Sequence, residues 1–191
     1  MFKFNTYLSR PFIALNGVKT GKNVKLIGYP FIFRFPKASV EIGDNCIIRS
    51  NFWSNLLGLY QRTIIIAKRE GKIKIGEDVG ISGSTVYAWN SIEIGAHTRI
   101  GANCKIIDTD MHALDIENRN ADNFDAVKTA PVKIGESVFI GCNSLILKGV
   151  EIGDGAVIGA GSVVTKNIPA GAVAAGNPAK VIKEKINDNS N

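Results

Sequence analysis

The sequence predicts an all-β solenoid of short parallel strands, and three observations lead to that prediction. An aliphatic residue returns every six positions over long stretches, glycine is abundant, and no apolar run is long. Glycine accounts for 20 of the 191 residues, above the usual share of about 7%, which indicates many tight turns. The densest apolar run, residues 64–67, has four residues, whereas a membrane-spanning helix needs about 20. We therefore expect no integral membrane segment.

The repeat is clearest in the C-terminal third of the chain. Its aliphatic positions are Ile134, Ile140, Ile146, Ile152, Ile158 and Val164, and glycine follows four of them. An α-helix cannot keep this period on one face, because six residues at about 100° each end about 240° out of register. One extended segment and one turn can keep it, so each hexad is predicted to form a strand with its aliphatic side chain inward. Three hexads would complete one coil of about 18 residues.

The same pattern occurs earlier in the chain, which extends the predicted solenoid to residues 17–177. These earlier positions are Ile42, Ile48, Ile75, Ile81, Tyr87, Ile94, Ile100 and Ile106. The pattern is interrupted at residues 49–72 and 112–133. The second interruption has 22 residues, longer than the ~12–15 beyond which a connection usually has a function. We expect the functional site there.

The two ends of the chain lack the repeat. Residues 1–16 are expected to form a packed N-terminal segment, and the weaker alternative is a helix at a membrane surface. Residues 178–191 are expected to form a short helical cap and tail, with Val181, Ile182 and Ile186 pointing inward.

Composition limits the class of ligand and the compartment. The net charge of +6 and the pI of 9.3 suit an anionic ligand. No basic run of five residues and no aromatic platform motif occurs, so we expect a small molecule or glycan as substrate and no nucleic acid. Cys46, Cys104 and Cys142 are odd in number and far apart, which supports neither a disulfide framework nor a zinc site. Arg10 and Pro11 interrupt the N-terminal apolar residues before a signal peptide could form, so we expect a cytoplasmic protein.

Beyond the hexads, three segments resemble a known family: residues 107–112 (IDTDMH), 159–166 (GAGSVVTK) and 175–180 (AGNPAK). Over residues 17–183 the sequence is similar to the hexapeptide-repeat acyltransferases. The similarity is greatest to sugar O-acetyltransferases of the maltose and galactoside type and to relatives that acetylate capsular or lipopolysaccharide sugars. The resemblance implies a left-handed parallel β-helix, with a long loop extruded from one coil. It also implies a homotrimer that binds acetyl-CoA in the groove between adjacent subunits.

The chain has two histidines, and only one is a catalytic candidate. His97 takes an outward position in a hexad, where we expect a structural role. His112 lies where the repeat breaks and the long loop begins. A sugar hydroxyl that attacks a thioester needs a base, and imidazole, which titrates near pH 6.5, can accept its proton. A nearby carboxylate, Asp110 or Asp108, could orient the ring, although either could equally form a turn.

The resemblance also implies which residues contact the cofactor and the acceptor. The implied contacts are Phe139 and Cys142 near the thioester arm, the Ala160 backbone at the pantetheine, Thr165 and Lys166 further along, and Lys180 and Lys183 at the CoA phosphates. Ser82 and Asp115 are the expected acceptor contacts. Galactoside-type enzymes use a coil asparagine on the acceptor side, whereas residues 80–85 contain none, so the oxyanion donor and the acceptor remain open.

Together these features predict transfer of an acetyl group from acetyl-CoA to a hydroxyl of a sugar or polysaccharide precursor. One alternative is an N-acetyltransferase that acts on an amino-sugar nucleotide, because both reactions need the same base and cofactor. Another is a non-catalytic β-helix scaffold, which would not need His112 at the start of a long loop. A zinc enzyme of the carbonic-anhydrase type would need three histidines, so no metal site is expected.

Overall fold

The computed structural model describes residues 6–184, with side chains from residue 11 onward, and these residues wind into a coil of short strands. The strands are β1 (Lys19–Thr20), β2 (Lys25–Gly28), β3 (Phe31–Arg34), β4 (Ser39–Ile42), β5 (Ile47–Ser50), β6 (Ile64–Ala67), β7 (Lys72–Ile75), β8 (Gly80–Ser82), β9 (Thr85–Ala88), β10 (Ser91–Ile94), β11 (Arg99–Ala102), β12 (Lys105–Ile107), β13 (Val132–Ile134), β14 (Phe139–Ile140), β15 (Leu145–Ile146), β16 (Glu151–Ile152), β17 (Val157–Ile158), β18 (Val163–Val164), β19 (Val173–Gly176) and β20 (Ala179–Lys183). The helices are α1 (Thr6–Leu15) and α2 (Ile116–Asn120), and 3₁₀ turns occupy Phe52–Ser54 and Phe124–Ala126.

Every third strand joins the same sheet, which gives the coil three faces. Face A contains β1, β4, β7, β10, β13 and β16. Face B contains β2, β5, β8, β11, β14, β17, β19 and β20, and face C contains β3, β6, β9, β12, β15 and β18. All pairs are parallel except β19 with β20. The predicted all-β parallel solenoid is therefore confirmed.

The repeat residues form the core. In the last coils Ile134 pairs with Ile152 and Ile140 pairs with Ile158, which confirms a coil of 18 residues. Ile140, Ile146 and Ile158 are fully buried. Burial of an isoleucine contributes about 1.5–3 kcal/mol, so the interior aliphatic column is the main source of stability.

Tyr87 does not continue this column, contrary to the sequence prediction. The inward residue of β9 is Val86, which is fully buried and pairs with Ile106. The step from Ile81 to Val86 is five residues, and Gly83 takes the left-handed conformation at the turn between them (φ 52°). The six-residue period therefore shifts by one position at this turn.

The first interruption is shorter than the predicted residues 49–72. It contains β6, whose Ile65 and Ala67 are fully buried, and only residues 51–63 leave the coil as a loop. The second interruption begins after β12 and returns at β13, so it covers residues 108–131. We call this segment the excursion. It contains α2 and the second 3₁₀ turn.

The predicted C-terminal helical cap is wrong. Residues 179–183 form β20, which turns back and pairs antiparallel with β19. A strand satisfies the backbone groups at the edge of β19, which a helix would leave unpaired. Val181 and Ile182 are 39% and 68% exposed rather than inward, and Ile186 lies outside the described residues.

At the other end, α1 packs through Ile13, which is 2% exposed. Within residues 6–184, no helix has the length and apolar character needed to cross a bilayer.

Opposite charges alternate along the outside of face A. The register places Lys19, Glu41, Lys74, Glu93, Lys133 and Glu151 side by side in that order. Neighbouring strands lie about 4.8 Å apart, so each charge has opposite charges beside it. Cross-strand pairs of this kind contribute about 0.2–1 kcal/mol each. The arrangement therefore favours this register of the coils.

Candidate functional site

The excursion leaves and rejoins the coil through a short antiparallel clamp. Thr109 forms an isolated bridge with Thr129, and the Ala130 amide donates to the Asp108 carbonyl at 3.0 Å. These contacts fix both ends of the segment on the turn from face C to face A. We call the turns at this edge corner CA. His112 lies three residues beyond Thr109, so the bridge of Thr109 with Thr129 restrains the backbone that leads to His112.

Asp108 is part of the framework of this corner. Its side chain is fully buried, and its carboxylate accepts the Trp89 amide at 2.8 Å and the Asn90 amide at 2.7 Å. Burial raises the pKa of this carboxyl, and the two backbone donors offset part of that effect. Asp108 therefore holds the preceding coil and does not orient His112.

Asp110 pairs with a lysine rather than with the histidine. Its Oδ1 accepts Lys148 Nζ at 2.6 Å, and its Oδ2 is buried without a hydrogen-bond partner among the described residues. The proposed role of Asp110 in orienting His112 is therefore not visible in the single chain, and a catalytic role of Asp110 stays a prediction.

His112 is exposed and makes no hydrogen bond to any residue in the described range 6–184. Its ring lies 6.4 Å from the Phe124 ring, centroid to centroid, at 39°. An imidazole with both nitrogens free of protein partners can accept a proton from a substrate. By contrast, His97 is at a turn with a φ of 60° and its Nδ1 lies 3.2 Å from Asp78 Oδ2. It has the structural surroundings expected of it.

A cluster of aromatic and basic side chains braces the excursion, and sequence reasoning missed it. The guanidinium of Arg69 lies 4.6 Å from the Trp89 ring centroid. The same group donates to the Phe124 carbonyl at 2.9 Å and to Asp125 Oδ1 at 3.2 Å. Arg69 is separated from each of these partners by 20 or more positions in the chain. The one sequence signal was a pair of basic residues directly after an apolar strand, at Lys68 and Arg69.

Two predicted cofactor contacts lie on a different edge of the coil, the turn from face B to face C, which we call corner BC. Cys142 and Ala160 belong to successive turns there, since a Cβ on Gly141 would lie 2.5 Å from the Ala160 nitrogen. Ala160 is exposed, and neither of its backbone groups bonds another residue of the described chain. These free groups fit the predicted hydrogen bonds to a pantetheine amide chain.

The loop of residues 51–63 is fixed to the same corner. Asn103 Nδ2 donates to the Gly58 carbonyl at 3.0 Å, and the Tyr60 hydroxyl lies 3.4 Å from Asn143 Oδ1. Asn103 and Asn143 take equivalent left-handed positions, with φ values of 61° and 59°. The loop exposes large apolar side chains: Phe52, Trp53, Leu56, Leu57 and Tyr60. It therefore presents an apolar surface beside Cys142.

The remaining predicted cofactor residues are spread over two places. Thr165 and Lys166 are exposed at corner CA, where the last face C strand ends. Lys180 and Lys183 are exposed on β20 at the end of face B, opposite Ala175 and Val173. Phe139, half-exposed, lies on the outside of face B.

The two predicted acceptor residues have local roles in the structure. Ser82 is 6% exposed and lies beneath the loop of residues 51–63, where Gln61 Nε2 donates to the Gly83 carbonyl at 3.0 Å. Asp115 caps α2 by accepting the Asn118 amide at 2.9 Å. That bond lowers the pKa of the Asp115 carboxyl. Asp115 is exposed, so a ligand can still contact its side chain while that side chain caps α2.

The predicted site residues therefore divide between opposite edges of face C. Cys142 and Ala160 lie at corner BC, while His112, Thr165 and Lys166 lie at corner CA. In a single chain the strands of face C separate these two groups of residues.

Comparison with known proteins agrees with the fold. Residues 131–166 match the family model of the bacterial transferase hexapeptide with six repeats. A probable acetyltransferase of Mycobacterium tuberculosis is 30% identical over 181 residues, which is 93% of this chain and 54% of that protein. The chain thus spans about half the length of that relative.

Solved structures extend the similarity. AntD, an N-acyltransferase from Bacillus cereus, is solved as a variant with dTDP-4-amino-4,6-dideoxyglucose and coenzyme A; it has a TM-score of 0.71 at 23% identity, covering 96% of this chain and 92% of its own. A galactoside acetyltransferase in complex with coenzyme A has a TM-score of 0.50 at 35% identity, covering 65% of this chain and 56% of its own. The hexapeptide-repeat containing acetyltransferase VCA0836 from Vibrio cholerae has a TM-score of 0.60 at 20% identity, covering 96% and 84%. Residues 131–166 therefore carry the bacterial transferase hexapeptide repeat, and the coil has the fold of these acyltransferases, a left-handed parallel β-helix.

Proposed function

We propose that this chain is an acetyl-CoA-dependent acetyltransferase that moves the acetyl group to a hydroxyl of a sugar or polysaccharide precursor. The observation that carries the proposal is the exposed imidazole of His112, held at the base of the excursion on a β-helix. Solved proteins of this fold include a galactoside acetyltransferase in complex with coenzyme A.

In the proposed reaction His112 is the general base. The acceptor hydroxyl attacks the thioester carbonyl carbon while His112 accepts the hydroxyl proton. The tetrahedral oxyanion collapses, the C–S bond breaks, and the proton passes from His112 to the CoA thiolate. Proton transfer by a positioned base is typically worth about 10²–10⁴ in rate.

The proposed position of acetyl-CoA follows from the free backbone groups of corner BC. The pantetheine would run along Ala160 towards Cys142, with Phe139 beside it. Thr165 and Lys166, at corner CA of a neighbouring subunit, would contact it further along. Lys180 and Lys183 are exposed cations and would bind the CoA phosphates as point charges.

We propose a homotrimer because one chain carries the two halves of the site on different corners. If corner BC of one subunit faces corner CA of its neighbour, the thioester beside Cys142 meets the neighbour's His112. Cyclic symmetry repeats the same junction three times.

On the acceptor side, Ser82 and Asp115 remain proposed contacts. Ser82 is covered by the loop of residues 51–63, so the exposed surface of that loop would meet the acceptor first. Phe52, Trp53 and Tyr60 give it aromatic faces on which a sugar ring or an attached base could pack.

The second candidate is N-acylation of an amino-sugar nucleotide. It is favoured by the fold shared with AntD over 96% of this chain. The same base and the same cofactor corner would serve, because an ammonium group must also lose protons before it attacks a thioester.

One experiment separates these candidates. The protein is incubated with acetyl-CoA and a panel of galactosides, maltose, dTDP-amino sugars and lipid-linked glycans, and release of free thiol is followed. Acceptor-dependent release with a hydroxyl sugar supports the proposal, and release with amino sugars alone supports the second candidate. A scaffold would release no thiol with any acceptor.

A further inference from the structure

Arg69, in the turn between β6 and β7, contacts the excursion on which His112 lies. We propose that Arg69 is the positioning residue of His112 and holds the excursion so that the imidazole reaches the cofactor. This inference rests on the proposed role of His112 as the base.

Trp89 is a fixed platform beneath the guanidinium of Arg69. The Trp89 side chain is 7% exposed. Its backbone amide is bound by the buried Asp108 carboxylate, and its Nε1 donates to the Tyr87 hydroxyl at 2.8 Å. Both ends of this residue are thus tied to the coil, so its ring cannot move independently of it.

Arg69 joins this platform to the excursion. Its guanidinium lies 4.6 Å from the Trp89 ring centroid, and its two terminal nitrogens reach Phe124 and Asp125. The planar fork of arginine is suited to this combination of stacking and paired donation. The Lys68 amine lies 6.0 Å from the Phe124 ring centroid, but it makes no comparable bond to the excursion backbone among the described residues.

Phe124 carries the restraint to the histidine. Its ring is 6.4 Å from Trp89 on one side and 6.4 Å from His112 on the other. His112 makes no hydrogen bond to another described residue, and among those residues Phe124 supplies the one aromatic ring beside its imidazole. Loss of Arg69 would release the Phe124 carbonyl and let both rings shift. A displacement of about 1 Å can cost about 10²-fold in rate.

The kinetic test measures the Arg69→Ala protein with acetyl-CoA and the panel acceptor that gives the fastest thiol release. We expect kcat to fall about 10- to 100-fold, with the KM for acetyl-CoA changed less than about threefold. Arg69→Lys keeps the charge but loses the fork, so its kcat should lie in between. Lys37→Ala is the matched control, because this nearby exposed cation pairs with Glu70 at 3.9 Å rather than with the excursion.

A double mutant separates positioning from general loss of structure. If Arg69 acts through His112, adding Arg69→Ala to His112→Ala should lower the rate no further. An equal further loss in that background would overturn the inference. If His112→Ala alone leaves the rate unchanged, the proposed function fails instead.

An NMR experiment tests the same inference without an acceptor. The chain has two histidines, so imidazole carbon–proton NMR signals can be assigned with His112→Ala. Arg69→Ala should shift or broaden the His112 signal and leave that of His97 unchanged. An unchanged His112 signal would contradict the inference whatever the kinetics show.

Discussion

Asp108 connects the coil to the excursion at the scale of one residue. Its buried carboxylate binds the amides of Trp89 and Asn90, and its carbonyl accepts the amide of Ala130 where the chain returns. The sequence allowed two readings of this residue, as a partner of His112 or as a turn former. The structural role is the one observed, and it positions both the Trp89 platform and the first residues of the excursion.

We predict that Asp108→Asn lowers the free energy of unfolding by about 1–3 kcal/mol. The asparagine amide would place a donor against one of the two backbone donors and leave that donor unsatisfied. Denaturant unfolding at neutral pH measures the change. Ser137→Ala, an exposed turn position, is a control and should change stability much less.

The pKa of the Asp108 carboxyl leads to a prediction about how stability depends on pH. Burial raises the pKa of Asp108 above the ordinary value, so the folded chain binds this proton more tightly than the unfolded chain. The contribution of this group to stability is therefore greatest at low pH and decreases as pH rises from about 4 through the folded pKa. Comparing wild type with Asp108→Asn over this range isolates it. A difference that is constant with pH would contradict the raised pKa.

At this scale the sequence located His112 from the break in the repeat but missed Arg69, Trp89 and Phe124. A break in a repeat can be seen in the amino-acid sequence alone. The contacts of Arg69 with Phe124 and Asp125 span 55 and 56 positions, and their geometry exists only after the coil has formed.

At the scale of elements, β6 and β20 are the strands that the period did not predict. The loop of residues 51–63 changes the register of the six-residue repeat. The buried Ile65 in β6 is therefore 17 positions after Ile48, which is not a multiple of six. Lys180 and Lys183 are three positions apart with two apolar residues between them, a spacing that also suits an amphipathic helix. Only the need to pair the edge of β19 favours a strand, and that need depends on three-dimensional contacts.

The lysines of β20 make the element-scale prediction. The double change Lys180→Ala and Lys183→Ala should weaken binding of CoA much more than binding of dephospho-CoA, if these cations meet the 3′-phosphate. Equilibrium dialysis with both ligands measures the two losses. Lys25→Ala, on the same face at the opposite end of the coil, should leave both affinities unchanged. Equal losses for the two ligands in the double variant would remove the phosphate role.

In the whole molecule, the proposed trimer requires that each site is shared between neighbouring subunits. Two variants test this: His112→Ala removes the base at corner CA, and Cys142→Trp blocks corner BC. Each homotrimer should be inactive. Mixed trimers assembled at random from equal amounts should recover about a quarter of the wild-type activity, because about a quarter of the junctions join two intact halves.

Co-purification of the untagged variant with a tagged copy of the other shows that mixed trimers have formed, and light scattering shows that they contain three chains. Mixed trimers without any recovered activity would place both halves in one chain and contradict the shared site. A fully active monomer would contradict the trimer itself.

The most direct test of the central claim is the rate of acetyl transfer by the His112→Ala protein. We expect a decrease of about 10²–10⁴ with the affinity for acetyl-CoA within a few-fold of wild type, because a base acts in the transition state and hardly affects ground-state binding. His97→Ala should be close to wild type, since its ring pairs with Asp78 at a turn. Wild-type turnover by a trimeric His112→Ala protein would contradict the role of His112 as the general base.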